Sequence, residues 1–256
     1  MVDYENSTHR PPIGLQTILF GRDTDTESAT FLDRLQEIGY TALESNPSDP
    51  AGFKARLEER GMDHAGLHFS APGLRDIDTH IETLKILGAK DICNSGPIDW
   101  NDRSAENWRK TIDLLNTTGL KLRDAGCALH YHNHDLEWNP IEGEDKLRPI
   151  DMLLDRLDFD LVDFCIDVAW VTKAGDDPAA FLRRHADKIS YLHLKDYDDH
   201  GWCPLGQGVV DLRAVEECLA ELPRVRWCVV EQDQPRDDPY ADARTSREYL
   251  ENEYNW

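Results

Sequence analysis

Apolar residues along this chain fall into short runs separated by stretches with helical spacing. IGLQTILF (residues 13–20) has the length of a strand. In the following SATFLDRLQEIGY, Phe31, Leu32, Leu35 and Ile38 recur at the spacing of one helix face. The alternation then repeats. TALESN, HAGLHFS and KDICNSG read as the second to fourth strands, separated by helical stretches at residues 53–60 and over IDTHIETLKILGA. A long helix opened by Ser104 is expected to stop at Gly126. CALHYHNH, DFCIDVAW, ISYLHLKD and RWCVVEQD read as strands five to eight. The helices between them are IDMLLDRL, DPAAFLRRHADK with proline in its first turn, and DLRAVEECLAEL. The tail DARTSREYLENEYNW predicts a last helix.

Eight strand–helix units in 256 residues predict an α/β fold, a single (β/α)8 TIM barrel spanning residues 1–256 with a C-terminal helical tail. An open doubly wound sheet would want a glycine-rich phosphate loop after the first strand, and LQTILFGRDTD offers none. No Gly-, Ser- or Pro-rich linker divides the chain.

Charge narrows the partners. A formal net charge of −22 repels phosphate backbones and anionic lipid, so neither nucleic acid nor a membrane surface is an expected partner. It also fits a halophilic source, where salt screens carboxylate from carboxylate. The six cysteines form no C-x-x-C pair and several lie in apolar runs, which fits a reducing, cytoplasmic setting. The first twelve residues are polar, so no secretory signal is expected, and no apolar run is long enough to span a membrane.

In such a barrel, chemistry gathers at the C-terminal ends of the strands. The fifth strand end offers His132, His134 and Glu137. The sixth offers Asp167, the seventh His193, Lys195 and Asp196, and the eighth Glu231 and Asp233. A carboxylate inside an apolar run is costly unless paired or metal-bound, and Asp167 follows FCI while Glu231 follows CVV. A set of two Glu, one Asp and one His suits one divalent cation, with Mn²⁺ ahead of Mg²⁺ or Co²⁺.

The motifs YHNHDLEW, CIDVAW, YLHLKD, PLGQGVVD and VVEQD, taken in that order, resemble the xylose-isomerase-like TIM-barrel superfamily, in its sugar (phosphate) isomerase and epimerase branch. The resemblance implies metal ligation by Glu137, Asp167, His193 and Glu231. It also makes Glu137 and Glu231 an acid/base pair that passes a proton through an enediolate. The implied substrate is a sugar, an inositol-derived ketone or a sugar phosphate, and a homo-oligomer is common in the family. His68, His132, Lys195 and Trp170 are candidate substrate contacts. For Lys195 the alternative is a salt bridge to Asp196 or Glu231. For Trp170 it is rim packing. LGQG (residues 205–208) offers backbone N–H groups to an anion, or is simply a turn. An inosose-type dehydratase would use the same metal site. A non-catalytic carbohydrate-binding barrel and an endonuclease IV-like enzyme are more distant alternatives. For the latter's additional metals the second strand offers Glu44 and the third His64 and His68, short of a full multi-metal pattern.

Overall fold

A computed structural model describes residues 10–144 and 146–256. Residues 1–9, on which the expectation of no secretory signal partly rests, lie outside the described residues.

The strands are β1 (Ile13–Gln16), β2 (Ala42–Glu44), β3 (Asp63–Ser70), β4 (Asp91–Ser95), β5 (Ala128–His132), β6 (Val162–Asp167) and β7 (Ile189–Leu194), then the short β8 (Asp196–Asp198) and β9 (Gly201–Cys203), and β10 (Trp227–Val230). All except β8 and β9 pair in parallel and close into an eight-stranded barrel, with β10 sealing β7 to β1. The helices are α1 (Ala29–Ile38), α2 (Pro50–Glu58), α3 (Ile77–Leu87), α4 (Ala105–Asp124), α5 (Pro149–Arg156), α6 (Val168–Lys173), α7 (Pro178–Arg184), α8 (Leu212–Cys218) and α9 (Pro239–Tyr254).

Local chemistry explains the boundaries. Ser28 and Ser104 cap α1 and α4, their side chains accepting from the Phe31 and Asn107 amides. The apolar stripe of α1 (Phe31, Leu32, Leu35, Ile38) is buried as its spacing predicts. Within the described residues the apolar side chains form one large core between barrel and helices. A smaller cluster of Ala42, Ala65, Cys93, Cys165, Tyr191 and Val229 fills the lumen.

The antiparallel hairpin of β8 and β9 has no counterpart in the sequence pattern. Several strands also end sooner than their apolar runs suggest. β1 gives way to a 3-10 turn over Thr17–Phe20, and β5 stops at His132, before a second 3-10 turn at Asp135–Trp138. The second shortening decides what the fifth strand contributes to the barrel mouth.

Inside the barrel, side chains stack in layers drawn from alternate strands. Ala42, Cys93, Cys165 and Val229 lie in the lumen cluster. Two residues further along the same strands come Glu44, Ser95, Asp167 and Glu231. The intervening β5 and β7 place His132 and His193 between those two levels. The opposite end is closed by a polar plug. His130 bonds Asp91 (2.7 Å) and Ser190 (3.0 Å), Ser190 donates to Asp163 (2.8 Å), and Arg226 and Arg224 pair with the two aspartates. His130 thus belongs to this plug, at the end of the barrel away from His132 and His134.

Candidate active site

Four side chains converge where the strands end. One donor atom from each of His132, Asp167, His193 and Glu231 lies within 4.8 Å of the others, and all four residues are buried. Asp167 divides its carboxylate between two tasks. Oδ1 caps α6, accepting from the amides of Ala169 (2.9 Å) and Trp170 (3.1 Å). Oδ2 has no hydrogen-bond partner, and neither do Glu231 Oε2 and His193 Nδ1, although those last two atoms lie only 2.6 Å apart. Buried polar atoms of native proteins are normally satisfied. Three ligand atoms that make no hydrogen bond of ordinary geometry, gathered in one buried cluster beside a neutral imidazole, fit a divalent cation. Burial drives His132 well below the usual histidine range, which keeps its ring neutral as ligation requires. Burial also pushes the Asp167 carboxyl up, against the pull of Lys195.

Glu137 lies in none of these donor groups. Once β5 ends at His132, the chain turns over Asp135–Trp138 and aims Glu137 away from the mouth. Its Oε1 accepts from the Tyr131 hydroxyl (2.6 Å) and its Oε2 from the His134 amide (2.8 Å). The lumen-facing donor at the end of β5 is His132.

A second carboxylate is built in from the far side. Glu44, fully buried at the end of β2, accepts from His193 Nε2 (3.0 Å) and from His68 Nδ1 (2.7 Å). Burial alone would raise its pKa, but the two imidazoles outweigh that and hold the carboxyl well below its usual range. A carboxylate on one nitrogen of a histidine fixes its tautomer and ring orientation, which here would leave Nδ1 to face any cation held by the cluster. His68 Nε2 reaches Ser95 Oγ, and both residues line an open cavity of about 580 Å³ above the cluster. That cavity is also lined by His132, His134, Glu231, Asn46 and Arg22. It has room for a small polyol, and most of its lining residues are polar in type.

A profile of xylose isomerase-like TIM barrels matches residues 32–253. The chain belongs to this family. An inosose dehydratase of Geobacillus kaustophilus is 26% identical, over 86% of this chain and 85% of the relative. A sugar phosphate isomerase/epimerase structure from Parabacteroides distasonis superposes with a TM-score of 0.79 at 19% identity, covering 97% of this chain and 96% of the other. A structure described as "IOLI protein with a binding zinc atom" superposes with a TM-score of 0.74 at 14% identity, covering 94% and 97%.

In this xylose isomerase-like barrel the remaining candidates fall into two groups. His68 and His132 line the cavity. Lys195 and Trp170 are not among its lining residues. Lys195 is fully buried and its Nζ holds Glu231 Oε1 (2.9 Å) and Asp233 Oδ2 (2.8 Å), with Asp167 Oδ2 at 3.7 Å. It sits 4.2 Å from the Trp202 ring and 5.2 Å from that of Trp170. Trp170 in turn packs edge-on against Trp202 and tilts onto His134. Of the two ion-pair partners considered for Lys195, Glu231 is engaged and Asp196 is not. Asp196 instead accepts from the backbone amides of Tyr197, Gly206, Gly208 and Val210, at 2.9–3.1 Å. The two glycine N–H groups of LGQG thus meet a carboxylate, and it is this protein's own side chain. His64 is likewise turned away, to the Ser45 carbonyl (3.1 Å).

From the sequence, Glu44 stands out only as a possible ligand of a multi-metal site. The signal that could have marked it is its position after TAL, in an apolar run like those of Asp167 and Glu231.

Proposed function

We propose that this protein is a divalent-metal-dependent dehydratase acting on a polyhydroxylated cyclic ketone of the inosose type. The observation that carries this reading is the makeup of the donor cluster, with one glutamate, Glu231, at the substrate cavity and histidines around it. Exchange of a proton between two opposed glutamates would need Glu137 at the cavity, and its oxygens are already engaged by Tyr131 and the His134 amide. The relatives named inosose dehydratase at 25–28% identity support the same reading.

His132, Asp167, His193 and Glu231 would hold the cation, with His132 in the position that the family resemblance gave to Glu137. A mixed imidazole and carboxylate set suits Mn²⁺, Co²⁺ or Zn²⁺. When bound, the ion supplies polarisation of the substrate carbonyl and stabilisation of the negative charge that develops on proton loss. Glu231 removes the proton α to the carbonyl, and Lys195 at its Oε1 keeps the carboxylate ionised. Burial on its own would raise the Glu231 carboxyl, but Lys195, His193 and His132 draw it well below its usual range. His68, anchored by Glu44 at Nδ1, presents Nε2 to the cavity beside Ser95 and delivers a proton to the departing β-hydroxyl, which leaves as water.

Isomerisation or epimerisation of a sugar or sugar phosphate shares the first proton abstraction. It is favoured by solved structures of like fold named as epimerases, such as an L-ribulose 3-epimerase (TM-score 0.74, 16% identical). One experiment separates the two readings. The metal-loaded protein is incubated with inosose in D₂O and the product is read by mass and NMR. Dehydration gives a product lighter by one water. Deuterium gained at the α-carbon without that loss would overturn the dehydratase in favour of the epimerase. Neither change, across a panel of ketoses, inososes and their phosphates, would remove the enzymatic reading itself.

A further inference from the structure

The two imidazoles of the donor cluster have carboxylates above them and thiols below. Cys93 Sγ, Cys165 Sγ and a ring nitrogen of His193 all lie within 4.8 Å of one another. Cys165 Sγ is 3.9 Å from His132 Nδ1. Both cysteines are free and buried, and they come from β4 and β6, the strands that carry Ser95 and Asp167 one level higher. The rest of their layer is small or apolar (Ala42, Ala65, Val229) apart from the Tyr191 hydroxyl, which is buried without a hydrogen-bond partner.

We propose that Cys93 and Cys165, together with His193 and His132, form a second cation position, one layer below the carboxylates and selective for thiophilic ions such as Zn²⁺ or Cd²⁺. Two sulfurs and two imidazoles are the donor set of closed tetrahedral zinc sites, and thiolates discriminate strongly against Mn²⁺ and Mg²⁺. On binding, each thiol forms a metal–sulfur bond and releases its proton to solvent. Two thiolates around a dication are electrically neutral, so the lumen is not left with an uncompensated buried charge. Both positions draw on the same two imidazoles. Because Glu44 holds His193 Nε2, a cation held by the thiols competes with Asp167 and Glu231 for His193 Nδ1, so filling one position weakens the other. This last consequence rests on the upper cluster being the working metal site, but the thiol position itself does not.

Cadmium titration tests the proposal. Addition of Cd²⁺ to the full chain, purified metal-free, is expected to raise the ultraviolet sulfur-to-cadmium charge-transfer band to a plateau at one equivalent. C93S and C165S are each expected to lose the band. X-ray absorption of the wild-type cadmium complex is expected to count two sulfur and two nitrogen neighbours, a measurement that needs neither serine variant to fold. Mn²⁺ binding, followed separately by its paramagnetic resonance signal, is expected to survive in C93S and to be displaced by Cd²⁺ in the wild type. A cadmium complex with only oxygen and nitrogen neighbours, or a band that persists in both variants, would overturn the thiol position. Failure of Mn²⁺ to bind while the cadmium band forms would count against the upper site alone.

Discussion

Glu137 shows how two buried hydrogen bonds redirect a single side chain. Burial pushes its carboxyl up to about 8, and the hydrogen bonds from Tyr131 and the His134 amide only partly oppose this. The folded protein therefore holds a proton that the unfolded chain releases near the ordinary glutamate value of 4.5. With the folded pKa raised, the unfolded state loses its proton first, and stability falls as pH rises from about 4.5 through about 8. In Glu137→Gln the amide oxygen can still accept from one of the two donors, Tyr131 or the His134 amide, and the side chain cannot ionise. Urea unfolding should show the variant gaining on the wild type between about pH 5 and about pH 9, by on the order of a few kcal/mol. The same variant should keep its Mn²⁺ affinity, whereas His132→Ala should lose it. Loss of metal in Glu137→Gln would return Glu137 to the ligand set.

At the scale of the element, the segment after β7 is organised by one carboxylate. Asp196 gathers four backbone amides and so shapes the turn that joins the β8–β9 hairpin to α8. Gly208 is required there by close approach. A Cβ at that position would stand 2.1 Å from Asp196 Oδ1 and 2.3 Å from the Tyr197 carbonyl, and the carbonyl cannot swing aside as a side chain can. Gly208→Ala should destabilise the fold by about 1–3 kcal/mol, measured by chemical denaturation. Trp202, on the same hairpin, covers Lys195, so substrate turnover should weaken along with stability. A Gly208→Ala protein with unchanged stability would mean that the loop tolerates displacement from Asp196. The glycines of LGQG were legible as a turn. That the turn wraps a carboxylate was not, because Asp196 is ten residues before Gly206 and sits on a hairpin that leaves no periodic trace in so short a segment.

For the whole molecule the dominant long-range term is charge. A net −22 spread over 256 residues repels itself at low ionic strength. The Debye length shrinks from about 10 Å at 0.1 M salt to about 3 Å at 1 M, so added KCl relieves repulsion between surface carboxylates. The midpoint of thermal unfolding should rise steadily with KCl over that range. A flat or falling midpoint would speak against the halophilic reading. The buried pair of Lys195 with Glu231 should contribute little to this trend, since both side chains are almost wholly out of solvent and are screened little by salt.

The alternation of apolar runs with helical stretches determined the barrel, because each strand–helix unit must bury one face against its neighbours and eight such units close on themselves. The apolar runs that end at Asp167, His193 and Glu231 also marked those three side chains, since a polar group at the end of a buried strand must find a partner at the barrel mouth. The folded chain alone decided the fourth. β5 stops at His132, the turn that follows seats Glu137 against the Tyr131 hydroxyl and the His134 amide, and an imidazole instead of a carboxylate faces the lumen. The same holds for Glu44, which meets His193 across 149 residues of sequence, and for the thiols of Cys93 and Cys165. Strand register in a closed barrel brings such groups into contact, and no local pattern records which residues will share a layer.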